Sequence, residues 1–455
     1  MTDDRAGVPG GPGPGVVASP GVVGSRVLRV EDQRLLTVGG TYVDDLRIPE
    51  LTGAARITFV RSPVAHALVT GIDASAALAE PGVVAVLTAA DMPAGGQDVA
   101  AGEGEADPEA QSKPMDEPLL AVDRVRYVGE PVAIVLTDGG YQGEDAAELV
   151  SVDYEPLTVV ASIGDALAAD TLLFPSAGSN VTASGGDEAA PHDAGGDSGE
   201  LFGGCDVVVG ATIVNQRVAP VPLEVRGAAA VWDGERLTVW ASTQNSQISR
   251  SQLVGKLSLD PAQVRVIVPD VGGGFGAKIG IDRETIAVAR AAMRAGRPVR
   301  WSETRSENLV GMTHGRAQRQ EFRIGGTRDG KILAYRLDVV QDGGAYPRGT
   351  YLPSLTRLMA SGAYLFPKAE CGYRFVVTST TPIDAYRGAG RPEATAAVER
   401  AVDLFAAEIG MDPAEVRRRN LLPAFAEPHT TLTGGVYDNG AYPEALDRAL
   451  WASGY

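Results

Sequence analysis

Between Val264 and Lys278 the chain reads VRVIVPDVGGGFGAK, and no other stretch restricts the fold as tightly. Val264, Val266 and Val268 alternate with Arg265 and Ile267, which is the period of a strand. Gly272, Gly273, Gly274 and Gly276 follow at once. A structural turn does not need so many glycines. A run of this kind lets the backbone take positive φ and approach another body closely. Successive bare N–H groups in such a loop can also form a concave anion site. The plain alternative is a flexible turn.

Two familiar phosphate loops can be tested against the run. A P-loop would need Gly at Ala277 and Ser or Thr at Ile279. Gly272, Gly274 and Ala277 fit a loose G-x-G-x-x-A fingerprint, but a helix should then open inside the glycines. Here the apolar period starts only near Asp282, so a Rossmann dehydrogenase is an outlying reading.

A chain of 455 residues has room for two or three domains. A net charge of −18 with no basic stripe argues against nucleic acid as a partner. Cys205 and Cys371 are too few for an iron–sulfur cluster or a disulfide framework and suit a reducing, cytoplasmic setting. The 4 His form no cluster, which argues against a zinc site. No apolar run approaches the ~18 residues of a membrane helix. Residues 1–25 read as a disordered tail, without the apolar core of a signal peptide.

From Arg26 the sequence is patterned. Strands are expected at Arg56 to Ser62, Val83 to Met92 and Val150 to Leu157, with a strand pair or one bent strand at Arg126 to Asp138. Short helices are expected at Ala74 to Glu80 and Gly143 to Val150. Gly95 to Lys113 is acidic and Gly-rich, as in a surface loop. The mixture predicts a small α+β domain over 26–170. Residues 171–204 include a low-complexity stretch and read as a linker. The remainder, 205–455, starts with a hairpin at Ala228 to Ser242. Helices are expected at Ser246 to Leu257, Arg391 to Gly410, Pro413 to Asn420 and Tyr442 to Ser453, and a second hairpin about Asp329-Gly330.

Two more stretches stand out: Ser242-Thr243-Gln244-Asn245, and DAYRGAGR from Asp384 to Arg391. The second sets Arg387 and Arg391 among glycines at a helix N-terminus, an arrangement suited to an anion. A strand-end hydrogen bond for Gln244 and a solvated loop for the arginines are the ordinary alternatives.

Taken together and in this order, STQN, GGGFGAK and AYRGAGRPEA resemble the large, molybdenum-binding subunit of the molybdenum hydroxylases: xanthine dehydrogenase, aldehyde oxidase and aerobic carbon monoxide dehydrogenase. RVEDQRLLTVGGTYVDDL and RYVGEPVA resemble that family's entry domain, and NQRVAPVPLEVRG the start of its first molybdopterin-binding domain. The resemblance implies an α+β chain: an N-terminal α/β hammerhead domain, then the first mixed α/β molybdopterin-binding domain. It implies that Gln244 hydrogen-bonds an oxygen ligand on molybdenum. Gly273, Gly274 and Phe275 would offer main-chain N–H groups to the metal's oxo ligand and the pterin. Arg387 would hold the cofactor from the other side, with Gly388 packed against it. No side chain would bind the metal directly, since the molybdopterin, implied to be a pterin dinucleotide, carries it.

Departures from the family are informative. Gly388 stands where carbon monoxide dehydrogenases carry a copper-binding Cys. Ile279 and Ala389 stand where xanthine dehydrogenases grip and stack a purine. An apolar pocket for an aldehyde or a small N-heterocycle is therefore implied, although overall the chain resembles the carbon monoxide dehydrogenase branch. The family's catalytic base is a Glu in a second molybdopterin-binding domain, which lies beyond this chain, so no catalytic residue is assigned here. A split gene, a truncation or a fragment is expected, active only with a C-terminal half of the large subunit. An iron–sulfur small subunit and an FAD-carrying medium subunit would take the electrons. A non-catalytic remnant or assembly protein is the alternative.

Overall fold

Alternation of apolar and polar residues carries directly into the sheets of the computed structural model, which describes residues 25–92, 111, 112, 115, 117–187 and 200–455. In Ala55–Arg61 the side chains of Ala55, Ile57 and Phe59 are buried and those between them are half-buried. Pro131–Thr137 is buried at every residue, as a central strand must be. It is a single strand, and the neighbouring Arg124–Val125 belongs to a different sheet, with Gly129 at positive φ between them. The strand expected from Val83 ends at Leu87.

A seven-stranded sheet runs in the order Val264–Ile267, Leu237–Ala241, Gly227–Trp232, Val299–Ser302, Ala55–Arg61, Pro131–Thr137, Val83–Leu87. It is continuous from the N-terminal part of the chain to the glycine-bearing strand. The join is the parallel pair Ala55↔Val299 and Arg56↔Arg300. The helix Arg283–Ala295 lies on this sheet, its many alanines facing Ala228 and Ala230 of the strand Gly227–Trp232. Small side chains on both partners let helix and sheet approach closely.

A six-stranded sheet follows the order Gln111–Ser112, Val181–Gly186, Lys368–Val376, Ile332–Asp342, Gln318–Gly326, Val207–Asn215. The helix Arg391–Ile409 covers it, with Ala397, Val398, Ala401 and Phe405 in one core with Phe322, Tyr335 and Leu337. A three-stranded sheet of Arg124–Val125, Ala67–Asp73 and Ser151–Pro156 and a two-stranded ribbon complete the strands.

The helices Ser246–Leu257, Arg391–Ile409, Pro413–Asn420 and Tyr442–Ser453 and both hairpins stand where the sequence places them. The segment 171–204 is not all linker. Val181–Gly186 is a strand of the six-stranded sheet, because its main chain pairs with Lys368–Val376 whatever its small side chains. Residues 188–199 within that segment, the tail to residue 24 and most of the Gly95 to Lys113 loop lie outside the described residues. Of the described residues, those from Ser25 to Thr41 form a compact unit of their own, with a short helix Asp32–Thr37, and those from Tyr42 to Tyr455 form the other.

Charges pin the join in the large sheet. Arg226 donates to Asp282 (2.6 Å) and Glu284 (3.1 Å) and pairs closely with Glu303, its guanidinium lying 5.4 Å from the Trp301 ring. Arg61 reaches Glu284 (3.0 Å) and Glu307 (2.9 Å). Burial pushes the Glu284 carboxyl up, but Arg226 and Arg61 pull it further the other way, to well below the usual carboxylate range. The unfolded chain therefore binds a proton here at a pH where the folded chain does not. Stability is full above about pH 5 and falls as pH drops from there through the depressed folded value. Urea unfolding midpoints at a series of pH values from 7 down to 3 should decline for the parent and decline less steeply for Glu284→Gln. Parallel declines would remove Glu284 as the cause.

Candidate functional site

The strands Leu237–Ala241 and Val264–Ile267 pair in parallel, Leu237 opposite Val264 and Trp240 opposite Ile267. Their C-terminal ends therefore lie side by side, and the loops leaving them, with Gln244 on one and the glycines on the other, share one edge of the sheet. Ligand sites in α/β sheets favour such carboxyl ends.

Hydrogen bonds lock the loops together. The Gln244 main-chain N–H donates to the Lys278 carbonyl (2.6 Å), and its side-chain Oε1 accepts from the N–H of Gly276 (2.8 Å) and of Lys278 (3.4 Å). Lys278 is buried. Its ammonium donates to the Glu224 carbonyl (2.8 Å), the Ser242 hydroxyl (2.8 Å) and the Glu224 carboxylate (3.2 Å). Burial pulls its pKa down, partly offset by Glu224. The same carboxylate accepts from the Gly272 N–H (2.8 Å) and the Ser242 hydroxyl (2.6 Å). The base of the glycine loop is thus held from below.

Two glycines are required by close approach. A Cβ on Gly274 would stand 2.3 Å from Gln244 Oε1. One on Gly276, at φ +101°, would stand 2.8 Å from the Ala385 carbonyl oxygen. The second contact is with the Asp384–Arg391 stretch, whose Arg387 N–H donates to the Phe275 carbonyl (2.8 Å). The motifs separated in sequence are therefore packed against one another.

Arg316 fixes the third stretch. Its guanidinium donates to the carbonyls of Tyr386 (3.0 Å) and Arg387 (2.6 Å) and to Glu393 (3.2 Å), and lies 4.8 Å from the Tyr386 ring. Arg316 and Ala317 both take positive φ, as do Phe275 and Ala389. Such backbone is uncommon away from glycine, and here it clusters around one site.

These loops carry a set of unused donors. The N–H groups of Gly273, Gly274 and Phe275 have no acceptor among the described residues. The same holds for the Gln244 amide NH2 and for the exposed Arg387 guanidinium. Consecutive main-chain donors beside a guanidinium match an oxyanion or phosphate group. Gln244, Gly273, Gly274, Phe275, Arg387 and Gly388 are thus brought together, with Gln244, Phe275, Arg387 and Gly388 exposed, Gly273 half-buried and Gly274 buried. Among the described residues no group of three or more His, Cys, Asp or Glu could hold a metal ion, and no helix is long and apolar enough to cross a membrane.

On the other side of the glycine loop lies a cavity of about 360 Å³. Gly276, Ala277 and Ile279 form one wall, and Tyr346, Tyr351 and Asp384 belong to others. Ile279 lines this cavity. Ala389 is not among its lining residues and packs against the cluster of Ala317, Leu352 and Ile383. Sequence reasoning missed Glu224, Arg316 and Asp384. Asp384 lay inside a quoted motif in which only the arginines and glycines drew attention.

A family model described as the molybdopterin cofactor-binding domain matches residues 181–421. One described as the aldehyde oxidase and xanthine dehydrogenase a/b hammerhead domain matches residues 37–158. The nicotine 6-hydroxylase large subunit of Paenarthrobacter nicotinovorans is 36% identical over 438 residues, which are 94% of this chain and 51% of that protein. The nicotinate dehydrogenase large molybdopterin subunit of Eubacterium barkeri is 27% identical over 95% of this chain and 98% of its own length. The crystal structure of quinoline 2-oxidoreductase from Pseudomonas putida 86 superposes with a TM-score of 0.86 at 33% identity, over 95% of this chain and 54% of that one. The chain thus spans about half the length of the first relative and of this solved structure.

Proposed function

Since the chain belongs to the molybdopterin cofactor-binding family, with the hammerhead domain of aldehyde oxidase and xanthine dehydrogenase ahead of that domain, we propose that it is the N-terminal part of the large subunit of a molybdenum hydroxylase acting on an aldehyde or N-heterocycle. The observation that carries this reading is the row of unpartnered N–H groups at Gly273, Gly274 and Phe275, flanked by the free amide of Gln244 and the guanidinium of Arg387. Gln244 donates to an oxygen ligand of the metal. Gly273, Gly274 and Phe275 donate to the oxo group and the pterin. Arg387 binds the pterin's phosphate side. Gly388, at φ +99°, is required by the turn into the following helix: a Cβ there would stand 2.5 Å from Pro392. When bound, the molybdenum cofactor supplies the two-electron oxidation of the substrate carbon.

On this reading the cavity beyond the loop receives the substrate, with Ile279 in its wall and Ala389 packed against Ala317, Leu352 and Ile383 outside its lining. Gly388 in place of a copper-binding Cys argues against carbon monoxide as the substrate. The catalytic Glu comes from a C-terminal complement, on the same polypeptide or a separate one. Exposed Leu223 (95%), Val221 and Phe275 beside the donor row suit burial by that complement. Electrons leave through an iron–sulfur small subunit and an FAD medium subunit, in the cytoplasm, where Cys205 and Cys371 stay reduced.

The test is metal and pterin analysis of the complete assembly from molybdenum-replete cells. Stoichiometric molybdenum with pterin is expected. Arg387→Ala removes charge-assisted bonds and should weaken cofactor retention by roughly 10- to 100-fold. An assembly free of molybdenum would end this reading.

A further inference from the structure

The cavity wall contains three carboxylates whose surroundings differ. Glu117 is held by Arg348 through two bonds of 2.7 Å, and by Arg283 at 3.0 Å. Asp282 is held by Arg226 at 2.6 Å. Asp384 has no cation within ion-pair distance among the described residues. Its Oδ1 accepts from the Tyr351 hydroxyl (2.9 Å) and from the Ala385 N–H (2.7 Å). Its Oδ2 has no donor.

This is an unusual place for a carboxylate without a direct ion pair. Burial raises its pKa, offset in part by the Tyr351 hydroxyl, the Ala385 N–H and the charge of Arg348. A carboxylate in such a position gains most from a ligand that brings its own donors or its own positive charge. The Tyr351 hydroxyl and Ala385 N–H hold Oδ1 in place, so the free oxygen has a fixed direction. The wall is mixed: Ile279, Ile281, Leu119, Tyr346 and Pro347 give it apolar and aromatic parts, and Gln252, Thr313 and Thr350 give it neutral polar ones. The volume falls within the range of small-molecule sites, which pair an apolar lining with a few placed polar groups.

We propose that Asp384, oriented by Tyr351, is a specificity-determining residue that selects planar aromatic ligands carrying an N–H donor or a protonated nitrogen, and disfavours carboxylates. This rests on the reading of the cavity as the substrate pocket. The opposite preference is disfavoured because the lining arginines are committed: Arg348 places its fork on Glu117, and Arg283 bonds Glu130 and the Tyr127 hydroxyl as well as Glu117. Lys256, the other cation of the lining, is also engaged within the protein.

Calorimetric titration of the full chain with benzamidine, benzamide and benzoate tests it without any cofactor. The three probes share a ring and differ in charge and donors. Benzamidine should bind at least tenfold more tightly than benzoate, with benzamide between them. Asp384→Asn keeps the size and the bond from Tyr351, and should collapse that ratio to near unity. Tyr351→Phe should reduce it while leaving benzamide binding in place. Ile279→Trp, which fills the cavity, should abolish binding of all three. If Ile279→Trp blocks the probes but Asp384→Asn leaves the ratio unchanged, the role of Asp384 is overturned and the pocket reading survives. If Ile279→Trp does not affect the probes, the pocket reading falls and this proposal with it.

Discussion

Arg226→Met will destabilise the fold by about 3–5 kcal/mol, the range for removing one partner of a buried ion pair. The arginine is 4% exposed, and its partners Glu284 and Glu303 are 1% and 4% exposed, so water cannot replace it. Methionine fills the same space and keeps the packing on Trp301. What remains is a set of carboxylates facing one another, with Arg61 as the ion-pair partner left to Glu284 among the described residues. Urea unfolding at pH 7 should show a much lower midpoint. Adding Glu303→Gln should recover part of the loss, because one uncompensated charge goes. A midpoint equal to that of the parent would mean the network does not secure the sheet.

Gly276→Val comes next in size, and its effect is local. The residue sits at φ +101°, where a β-branched side chain costs about 1–3 kcal/mol in backbone strain alone. Its Cβ would meet the main chain of Ala385, which cannot rotate away. The glycine loop and the Asp384–Arg391 stretch must then part, breaking the bond from Arg387 N–H to Phe275 O. Hydrogen exchange should rise in both loops, and the complete assembly should lose molybdenum. Gly140→Val is the control. A Cβ there meets nothing within 4 Å, so its effect should stay within about ±0.5 kcal/mol. Unchanged exchange and unchanged metal in Gly276→Val would show that the two loops do not depend on each other.

The legible part of this molecule is the part written locally. The helix Arg391–Ile409 could be read from Pro392, its apolar spacing and Gly410. The hairpin of Gly227–Trp232 and Leu237–Ala241 could be read from Asp233-Gly234 between alternating strands. The glycine run betrayed close approach, and the structure supplies its reasons in Gln244 and Ala385. The polar machinery beneath could not be read. Arg226 finds Glu303 77 positions away and Glu284 58 away, and Lys278 finds Glu224 54 away. An arginine or glutamate on a surface helix looks the same in sequence as one sealed under a sheet. Asp384 escaped notice for a related reason: its meaning lies in the cations that fail to face it, and only coordinates reveal a missing neighbour.

The parallel pairing of Ala55–Arg61 with Val299–Ser302 bears on how this protein can be divided. Expressing residues from about 205 onward alone would strip three strands from the large sheet and bare a row of unmet amide and carbonyl groups along Val299–Ser302. Raw edges of that kind recruit other chains. The two family domains thus share one sheet at this seam, and cutting the chain between them would cut through a common sheet.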